Sequence, residues 1–171
     1  PDNPHRRYHD HEYGYPIAED DRLFERLVFE INQAGLSWTT ILNKADNLRR
    51  AYDHFAIERV AAYGEADIAR LLADAGIIRN RRKIAAAIHN ARVIRELQAA
   101  HGSFRAWLDA QVGADKATWV KLFKKTFAFT GPEITGEFLM SSGYLEGAHR
   151  RDCPVYTQIL AAHPRWLTGG G

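Results

Sequence analysis

The sequence predicts an all-α protein, and three observations support this. Apolar residues recur at three- and four-residue spacing along most of the 171-residue chain. Serine, asparagine and aspartate stand just before several of these segments, where helix N-caps are expected. No segment alternates apolar and polar residues over strand length, and Phe127-Ala128-Phe129-Thr130 is too short to indicate a sheet. We therefore expect short helices joined by tight turns.

Nine helices follow from this pattern. They are predicted at about 20–33, 37–52, 57–62, 65–73, 80–100, 103–111, 115–125, 133–142 and 155–163. The residues expected to cap helices are Ser37, Asn80, Ser103, Asp115 and Thr130. The first helix has an apolar face that predicts a buried stripe, formed by Leu23, Phe24, Leu27, Val28 and Ile31. The terminal Gly169-Gly170-Gly171 predicts a flexible end.

Composition restricts the class of protein. The chain has 171 residues, of which 46% are hydrophobic, so we expect one domain over residues 1–171 with a real core. No apolar run approaches the roughly 18–20 residues of a transmembrane helix. The single cysteine, Cys153, excludes an internal disulfide and fits a reducing compartment. We therefore expect a cytoplasmic protein without membrane contact. Because the chain begins at Pro1, we also expect natural residues to precede it.

Glu30 is the most informative polar residue of the first predicted helix. It lies three residues after Leu27 and seven after Leu23, so it projects at the edge of the apolar stripe. A carboxylate in that position needs hydrogen-bond partners, a shifted pKa or a ligand. The helix then ends at Ala34-Gly35, and Leu36 and Trp38 follow. Glu30 is therefore a candidate site residue.

A second candidate region is the predicted turn around Gly76. Gly76 suits a left-handed or closely approached backbone position, and the basic residues Arg79, Arg81, Arg82 and Lys83 follow it. The start of the next helix offers free amides and a positive dipole end, which suit a phosphate. An ordinary helical hairpin with a solvated basic face also fits this segment. The net charge of +2 does not decide between the two.

Four stretches, in chain order, resemble the DNA-3-methyladenine glycosylase I family of the helix-hairpin-helix superfamily. They are Tyr8-His9-Asp10-His11-Glu12-Tyr13-Gly14-Tyr15-Pro16, then Glu30 with Gln33-Ala34-Gly35-Leu36-Ser37-Trp38, then 74–84, and finally 127–132 with 143–153. The resemblance implies a helix-hairpin-helix DNA glycosylase-like domain with a small zinc-binding lobe. Residues 1–16 and about 130–160 would form that terminal subregion. The implied partner is double-stranded DNA containing alkylated bases, and no protein partner is indicated.

The resemblance also implies roles for single residues. Tyr8, Tyr13, Glu30 and Trp38 would line a pocket for the flipped base, with Glu30 as the catalytic candidate that recognises the base. A cationic alkylated adenine stacks on aromatic faces and is attracted to a carboxylate. Each aromatic residue taken alone is more often explained by core packing, and only the combination favours a pocket. Monofunctional hydrolysis is expected, because Lys83, Lys121, Lys124 and Lys125 have the character of surface or phosphate-binding residues and not of a lyase nucleophile.

The DNA contacts implied by the family fall on two segments. Gln33, Gly35 and Leu36 would enter the DNA at the lesion, where Leu36 fills the space of the flipped nucleotide. A helix C-cap with Leu36 packed inward fits the same residues. The turn residues Gly76, Arg79, Arg81 and Lys83 are DNA-binding candidates that would hold the backbone without reading sequence.

A metal site is the last feature implied by the family. His149 and Cys153 have a spacing usable for two ligands of a structural zinc, and His9 matches a third family ligand. The family's fourth ligand is an N-terminal cysteine, which this chain does not contain before His9. It lies upstream of Pro1, or the zinc is bound incompletely or not at all; His5 is a weak substitute.

Departures from the family pattern concern the pocket. Tyr13 stands where the family usually has tryptophan, and His11 and His5 replace more typical asparagine and tyrosine. Three functions are therefore compared: a 3-methyladenine glycosylase, a helix-hairpin-helix DNA-binding protein with lost or altered activity, and a helical protein-interaction domain. Release of 3-methyladenine from methylated DNA distinguishes them.

Overall fold

The computed structural model describes residues 3–168, and the glycine end at 169–171 lies outside them. Within residues 3–168 there are eleven α-helices and one 3₁₀ turn, Asp53–Phe55. The helices are α1 (Pro4–His11), α2 (Asp20–Gln33), α3 (Trp38–Ala51), α4 (Ile57–Ala61), α5 (Glu65–Ala73), α6 (Arg81–His101), α7 (Phe104–Asp109), α8 (Lys116–Thr126), α9 (Pro132–Ser141), α10 (Pro154–Ala161) and α11 (Arg165–Thr168). The all-α prediction is confirmed. No helix in this part of the chain is long and apolar enough to cross a membrane.

Four of the five predicted helix caps are present in the structure. Ser37, Asn80, Ser103 and Asp115 each accept a hydrogen bond from a backbone N–H in the first turn, as predicted. The prediction for Thr130 is wrong: α9 begins at Pro132, with Gly131 at the N-cap position. Proline already has the backbone φ of a first helical residue, and the Thr130 hydroxyl instead donates to the carbonyl of Phe123 at 3.0 Å.

Two helices were absent from the prediction. Helix α1 is capped by the Asn3 side chain and begins with proline, but it buries only one residue, Tyr8. Helix α11 buries none of its four residues. Because prediction from periodicity needs a repeated apolar face, neither segment could be recognised in this way.

Helix α2 lies at the centre of the molecule. All ten residues from Leu23 to Asn32 are buried, including the predicted apolar stripe. Aromatic side chains of α7, α8 and α9 extend the same core, with Phe104, Phe123 and Phe138 fully buried. A helix that is buried on every side has no solvent face for its polar residues. Each charged group between Leu23 and Asn32 must therefore be stabilised inside the protein.

Hydrogen bonds join the N-terminal segment to the segment after α9. The Gly14 N–H donates to the Ser141 carbonyl at 2.8 Å, and Arg26 of α2 donates to the same carbonyl at 2.9 Å. Gly143 has a φ of +82°, and a Cβ at that position would lie 3.3 Å from the Gly14 carbonyl oxygen. This close backbone approach requires glycine. It brings Tyr8, His9 and Tyr13 beside α9 and the following loop.

Candidate active site

A cavity of about 1160 Å³ opens between α1, α2, the start of α3 and α9. It contains all four residues that were predicted to form a base pocket, although they come from three separate segments. Its lining includes Tyr8, Tyr13, Glu30, Trp38 and Glu137, together with Gln33, Gly35 and Leu36. The tertiary structure therefore places the predicted pocket residues in one cavity.

Aromatic rings form one side of this cavity. The ring of Tyr8 lies 5.1 Å from that of Trp38 and 5.7 Å from that of Tyr13, measured between centroids. The Tyr8 hydroxyl and the Trp38 indole N–H are buried and have no hydrogen-bond partner within residues 3–168. A buried polar atom without a partner costs free energy of roughly 1–3 kcal/mol. Both residues line the cavity, where their rings offer flat faces to a planar ligand.

Glu30 is 4% exposed and contributes the buried carboxylate of the cavity. The pKa of Glu30 is raised to about 8, mainly by burial; the Arg26 guanidinium opposes this shift and the Glu137 carboxylate adds to it. Arg26 is itself committed elsewhere: it donates to the Ser141 carbonyl and lies 5.0 Å from the centre of the Tyr8 ring. No ion pair found within residues 3–168 includes Glu30. Burial thus favours the neutral form of Glu30 over the carboxylate in the free protein.

Glu137 is a cavity residue that the sequence did not reveal. It lies on α9, and its carboxylate accepts a hydrogen bond of 3.2 Å from the Tyr13 hydroxyl. Burial, with the Glu137 charge as a second cause, raises the pKa of Tyr13 above its ordinary range. Nothing in the sequence distinguishes Glu137 from the exposed Glu133 one turn earlier, so no local signal could have identified it.

The loop between α2 and α3 lies at the mouth of the cavity. Gly35 has a φ of +81°, which L-residues rarely adopt, and the Leu36 N–H donates to the Gln33 carbonyl at 2.7 Å. Leu36 is 41% exposed, one of two large apolar residues exposed in the described chain. The alternative in which Leu36 packs inward is therefore wrong. An exposed apolar side chain on a tight turn is available for contact with a partner.

Lys83 corrects an expectation from the sequence. It was expected at the surface, but it is 5% exposed and its ammonium donates to the carbonyls of Asn32 and Ala34 at 2.8 and 2.7 Å. Those carbonyls are at the C-terminal end of α2, where a cation is favourable and the last carbonyls lack helical partners. Burial lowers the pKa of Lys83. Lys83 thus holds the loop that carries Gly35 and Leu36, and its amine does not line the cavity.

The turn after α5 lies outside the cavity. Gly76 does not have a positive φ; it is needed for close approach, because a Cβ there would be 2.9 Å from the Asn47 amide nitrogen. Asn47 donates to the Gly76 carbonyl at 3.1 Å. Arg79 and Arg81 are exposed on this turn and at the start of α6. Through Lys83, the first turn of α6 contacts the loop at the cavity mouth.

His9, His149 and Cys153 form a cluster that could hold a metal ion. Their ligand atoms lie within 4.8 Å of one another, and Cys153 Sγ is 4.0 Å from both His9 Nε2 and His149 Nδ1. The other ring nitrogens are occupied: His9 Nδ1 lies 2.8 Å from an Asp10 carboxylate oxygen, and His149 Nε2 lies 2.6 Å from the Tyr13 carbonyl. Such outer partners are typical of metal-binding histidines, because they orient the lone pair of the inner nitrogen. His5 is outside this cluster and lines the large cavity.

Known proteins are similar in sequence to most of this chain. The sequence model of the methyladenine glycosylase family matches residues 1–121. DNA-3-methyladenine glycosylase 1 of Escherichia coli (strain K12) is 34% identical over 168 residues, which cover 87% of this chain and 89% of that protein. DNA-3-methyladenine glycosylase of Haemophilus influenzae is 30% identical over 169 residues, covering 88% of this chain and 91% of the relative.

Solved structures of the same kind superpose on this one. A variant of 3-methyladenine DNA glycosylase I in complex with 3-methyladenine has a TM-score of 0.83 at 31% identity, covering 91% of this chain and 93% of that one. A 3-methyladenine DNA glycosylase I from Staphylococcus aureus gives 0.83 at 32% identity, covering 91% and 92%. The family match, the identities and the shared helical fold lead to one conclusion: this chain belongs to the methyladenine glycosylase family.

Proposed function

We propose that this protein is a monofunctional DNA glycosylase that hydrolyses the N-glycosidic bond of 3-methyladenine in alkylated double-stranded DNA. The observation that carries the proposal is Glu30, a buried carboxyl group without an ion-pair partner among residues 3–168, inside an aromatic cavity. Two related proteins are 3-methyladenine glycosylases, and their matches to this chain cover 89% and 91% of their lengths.

The cavity can accept the damaged base only after it leaves the duplex. A base damaged by N3-alkylation is extruded at a lower free-energy cost than an intact one. Tyr8 and Trp38 would then stack on the base, since cationic rings are attracted to aromatic faces by about 0.5–2 kcal/mol.

Glu30 would recognise the charge and the edge of the base. In the free protein its pKa is raised to about 8, mainly by burial. A cationic base brought into the cavity favours the ionised carboxylate, so binding releases a proton and Glu30 becomes an acceptor for the exocyclic amine. This exchange favours a base with a fixed positive charge over neutral adenine.

The bond cleaved is that between C1′ of the deoxyribose and the ring nitrogen of the base. The bonding electron pair goes to the base, which leaves as neutral 3-methyladenine, and the sugar develops the positive charge. Water then adds to C1′ and gives up one proton, so the product is an abasic site. Because the cationic base is already an activated leaving group, binding and orientation can supply most of the rate enhancement.

Two surface features would hold the DNA around this event. Gln33, Gly35 and Leu36 protrude at the cavity mouth, where Leu36 would occupy the gap left by the extruded nucleotide. Gly76, Arg79 and Arg81 would contact the backbone at the turn before α6. Lys83 would serve the same interface indirectly, because its ammonium holds the carbonyls of Asn32 and Ala34 directly before Gly35 and Leu36.

A zinc ion at His9, His149 and Cys153 would stabilise the terminal subregion formed by residues 1–16 and about 130–160. Zinc accepts imidazole nitrogen and thiolate at roughly 2.0–2.3 Å, and the three donor atoms are close enough to share one ion. When bound, the ion would supply a crosslink between the two ends of the chain and no catalytic chemistry.

This zinc proposal is tested by metal analysis and melting. We expect about one zinc per chain, and chelation should lower the melting temperature by several degrees, since a ligand that binds only the folded state stabilises it. Cys153→Ser should lose the zinc and the response to chelator together. A wild-type protein that melts identically with and without chelator contradicts the proposal.

The function itself is tested by release of the base. Wild-type protein incubated with methylated duplex DNA should release 3-methyladenine, detected by chromatography. Glu30→Gln should lower kcat/KM by at least about 100-fold, the scale of one lost charged contact in a transition state. Glu96→Gln, an exposed charge deletion on α6, is the matched control and should remain within about threefold of wild type. Salt-sensitive DNA binding without release of any alkylated base would instead favour an inactive DNA-binding protein.

A further inference from the structure

Three glutamates line the large cavity; Glu133 is exposed, whereas Glu30 and Glu137 are more enclosed. Glu30 enters from α2 and Glu137 from α9. Neither takes part in any ion pair found among residues 3–168. Arg26 is the basic group whose charge reaches Glu30, but it donates to the Ser141 carbonyl and lies 3.8 Å from Glu12. The lining of the cavity is therefore acidic.

We propose that Glu137, oriented by Tyr13, is a second acidic recognition group of this cavity, and that it selects damaged bases carrying a fixed positive charge. The inference rests on the proposed function, since it concerns which bases the glycosylase accepts. It assigns Glu137 a specificity role and leaves the bond-breaking step as described above.

The orientation of Glu137 is fixed by its partner. The Tyr13 hydroxyl donates to the carboxylate at 3.2 Å. Tyr13 is held in turn by ring contact with Tyr8 at 5.7 Å and by the hydrogen bond between its carbonyl and His149 at 2.6 Å. A carboxylate held in this way pays little conformational entropy when it meets a ligand.

The positive charge of an alkylated base explains why this cavity would select it over a neutral base. Purines alkylated at N3 or N7 in DNA carry a positive charge on the ring until the glycosidic bond breaks, so they match a cavity with two carboxylates. A neutral base would have to displace water from the Glu137 carboxylate without compensating its charge, and it would not favour ionisation of Glu30. At the rim, Lys116 and Glu133 are exposed and of opposite sign, so they add little net charge.

The surroundings of Glu30 are consistent with this assignment. Glu137 is the group that adds to burial in raising the pKa of Glu30, while Arg26 opposes it. Two carboxyl groups that repel one another hold a proton more tightly, and a cation placed between them relieves the repulsion. The same pair of residues thus disfavours an empty ionised cavity and favours a cationic occupant.

Electrostatic repulsion between Glu137 and the DNA phosphates predicts the direction in which a substitution changes DNA binding. A carboxylate facing DNA repels phosphates, so neutralising it should strengthen DNA binding unless it contacts a cation on the DNA. For Glu137→Gln we expect the half-saturating enzyme concentration for single-turnover excision of 3-methyladenine to rise about tenfold. The maximal excision rate should change by less than about threefold. Affinity for duplex containing a stable abasic-site analogue should be unchanged or higher, because no base occupies the cavity.

Two further variants complete the experiment. Tyr13→Phe retains the Glu137 charge but removes its tether, so the half-saturating concentration should rise less than in Glu137→Gln. Glu96→Gln should match wild type, and melting temperatures verify that each variant is folded. If Glu137→Gln is saturated at wild-type or lower concentrations beside an active wild type, the inference is overturned. A wild type that releases no 3-methyladenine overturns the proposed function and this inference with it.

Discussion

Helix α2 carries two buried carboxylates five residues apart, and the protein treats them in opposite ways. Glu25 is 9% exposed and accepts hydrogen bonds from Arg49 at 2.8 Å and Arg22 at 3.0 Å. Glu30 is 4% exposed and has no ion pair among the described residues. Five residues correspond to about 140° around a helix, so the two face different sides. The comparison teaches that a buried charge with partners is structural, whereas one left without partners in a cavity is available to a ligand.

The largest expected effect is a difference in the sign of stability changes at pH 8. Glu25→Gln should lower the free energy of unfolding by about 1–2 kcal/mol, because it leaves two guanidinium groups without their carboxylate. Glu30→Gln should raise it by on the order of 2 kcal/mol, because the costly ionisation of a buried group is removed. Urea denaturation measures both, and excision should be kept by Glu25→Gln and lost by Glu30→Gln. If both substitutions changed the free energy of unfolding in the same direction, the contrast between Glu25 and Glu30 would be contradicted.

The pH dependence of stability is the next effect in size. The ordinary pKa of Glu30 is 4.5 and its folded value is about 8, so the folded state binds more protons between these pH values. Stability from Glu30 is therefore present at low pH and falls as pH rises from about 4.5 to about 8, by at most roughly 1.4 kcal/mol per unit. The stabilising effect of Glu30→Gln should accordingly be larger at pH 8 than at pH 6, by about 2 kcal/mol. A difference that is constant with pH, measured by urea denaturation at both values, contradicts the assignment.

The smallest expected effect is the coupling energy between each glutamate and an arginine close to it, which tests why Glu25 and Glu30 behave differently. Arg49 donates to Glu25 and also lies over the Phe29 ring at 5.7 Å, so Arg49→Met keeps the apolar contact and removes the charge. A double-mutant cycle of Glu25→Gln with Arg49→Met should give a coupling of about 1 kcal/mol. The corresponding cycle of Glu30 with Arg26 should give less, since no hydrogen bond joins them. Equal couplings would mean that Glu30 is also a structural acid.

Much of the fold could be predicted because helices are encoded locally. Helices α2 and α5 were predicted with the observed bounds, and the others among the nine lie within about two residues of their predicted ends. Helix α1 was not predicted, since its one buried residue gives no periodic signal. The error at Thr130 has a different cause. Helix α9 begins at Pro132 with Gly131 as the N-cap, because proline already has the backbone geometry of a first helical residue.

The site was predictable where residues share one segment or a motif, and not where they meet by packing. Glu30, Trp38 and the loop at 33–36 lie close together in sequence, and Tyr8 and Tyr13 belong to a family motif. Glu137 has no such mark; it reaches Tyr13 across 124 residues of sequence. Lys83 was misplaced because a basic run predicts a solvated surface, whereas the nearby carbonyls of Asn32 and Ala34 provide a buried site for its ammonium.

The sequence by itself determined an all-α chain, a buried stripe on α2, and a carboxyl group placed against that stripe before a glycine turn. These follow from the 3.6-residue period of the helix and from the backbone freedom of glycine. Only the tertiary structure decided that Glu30 has no ion pair among residues 3–168 while Glu25 has two, that Leu36 faces outward, and that Glu137 joins the same cavity. Such facts depend on which side chains arrive from distant segments, and local periodicity carries no information about them.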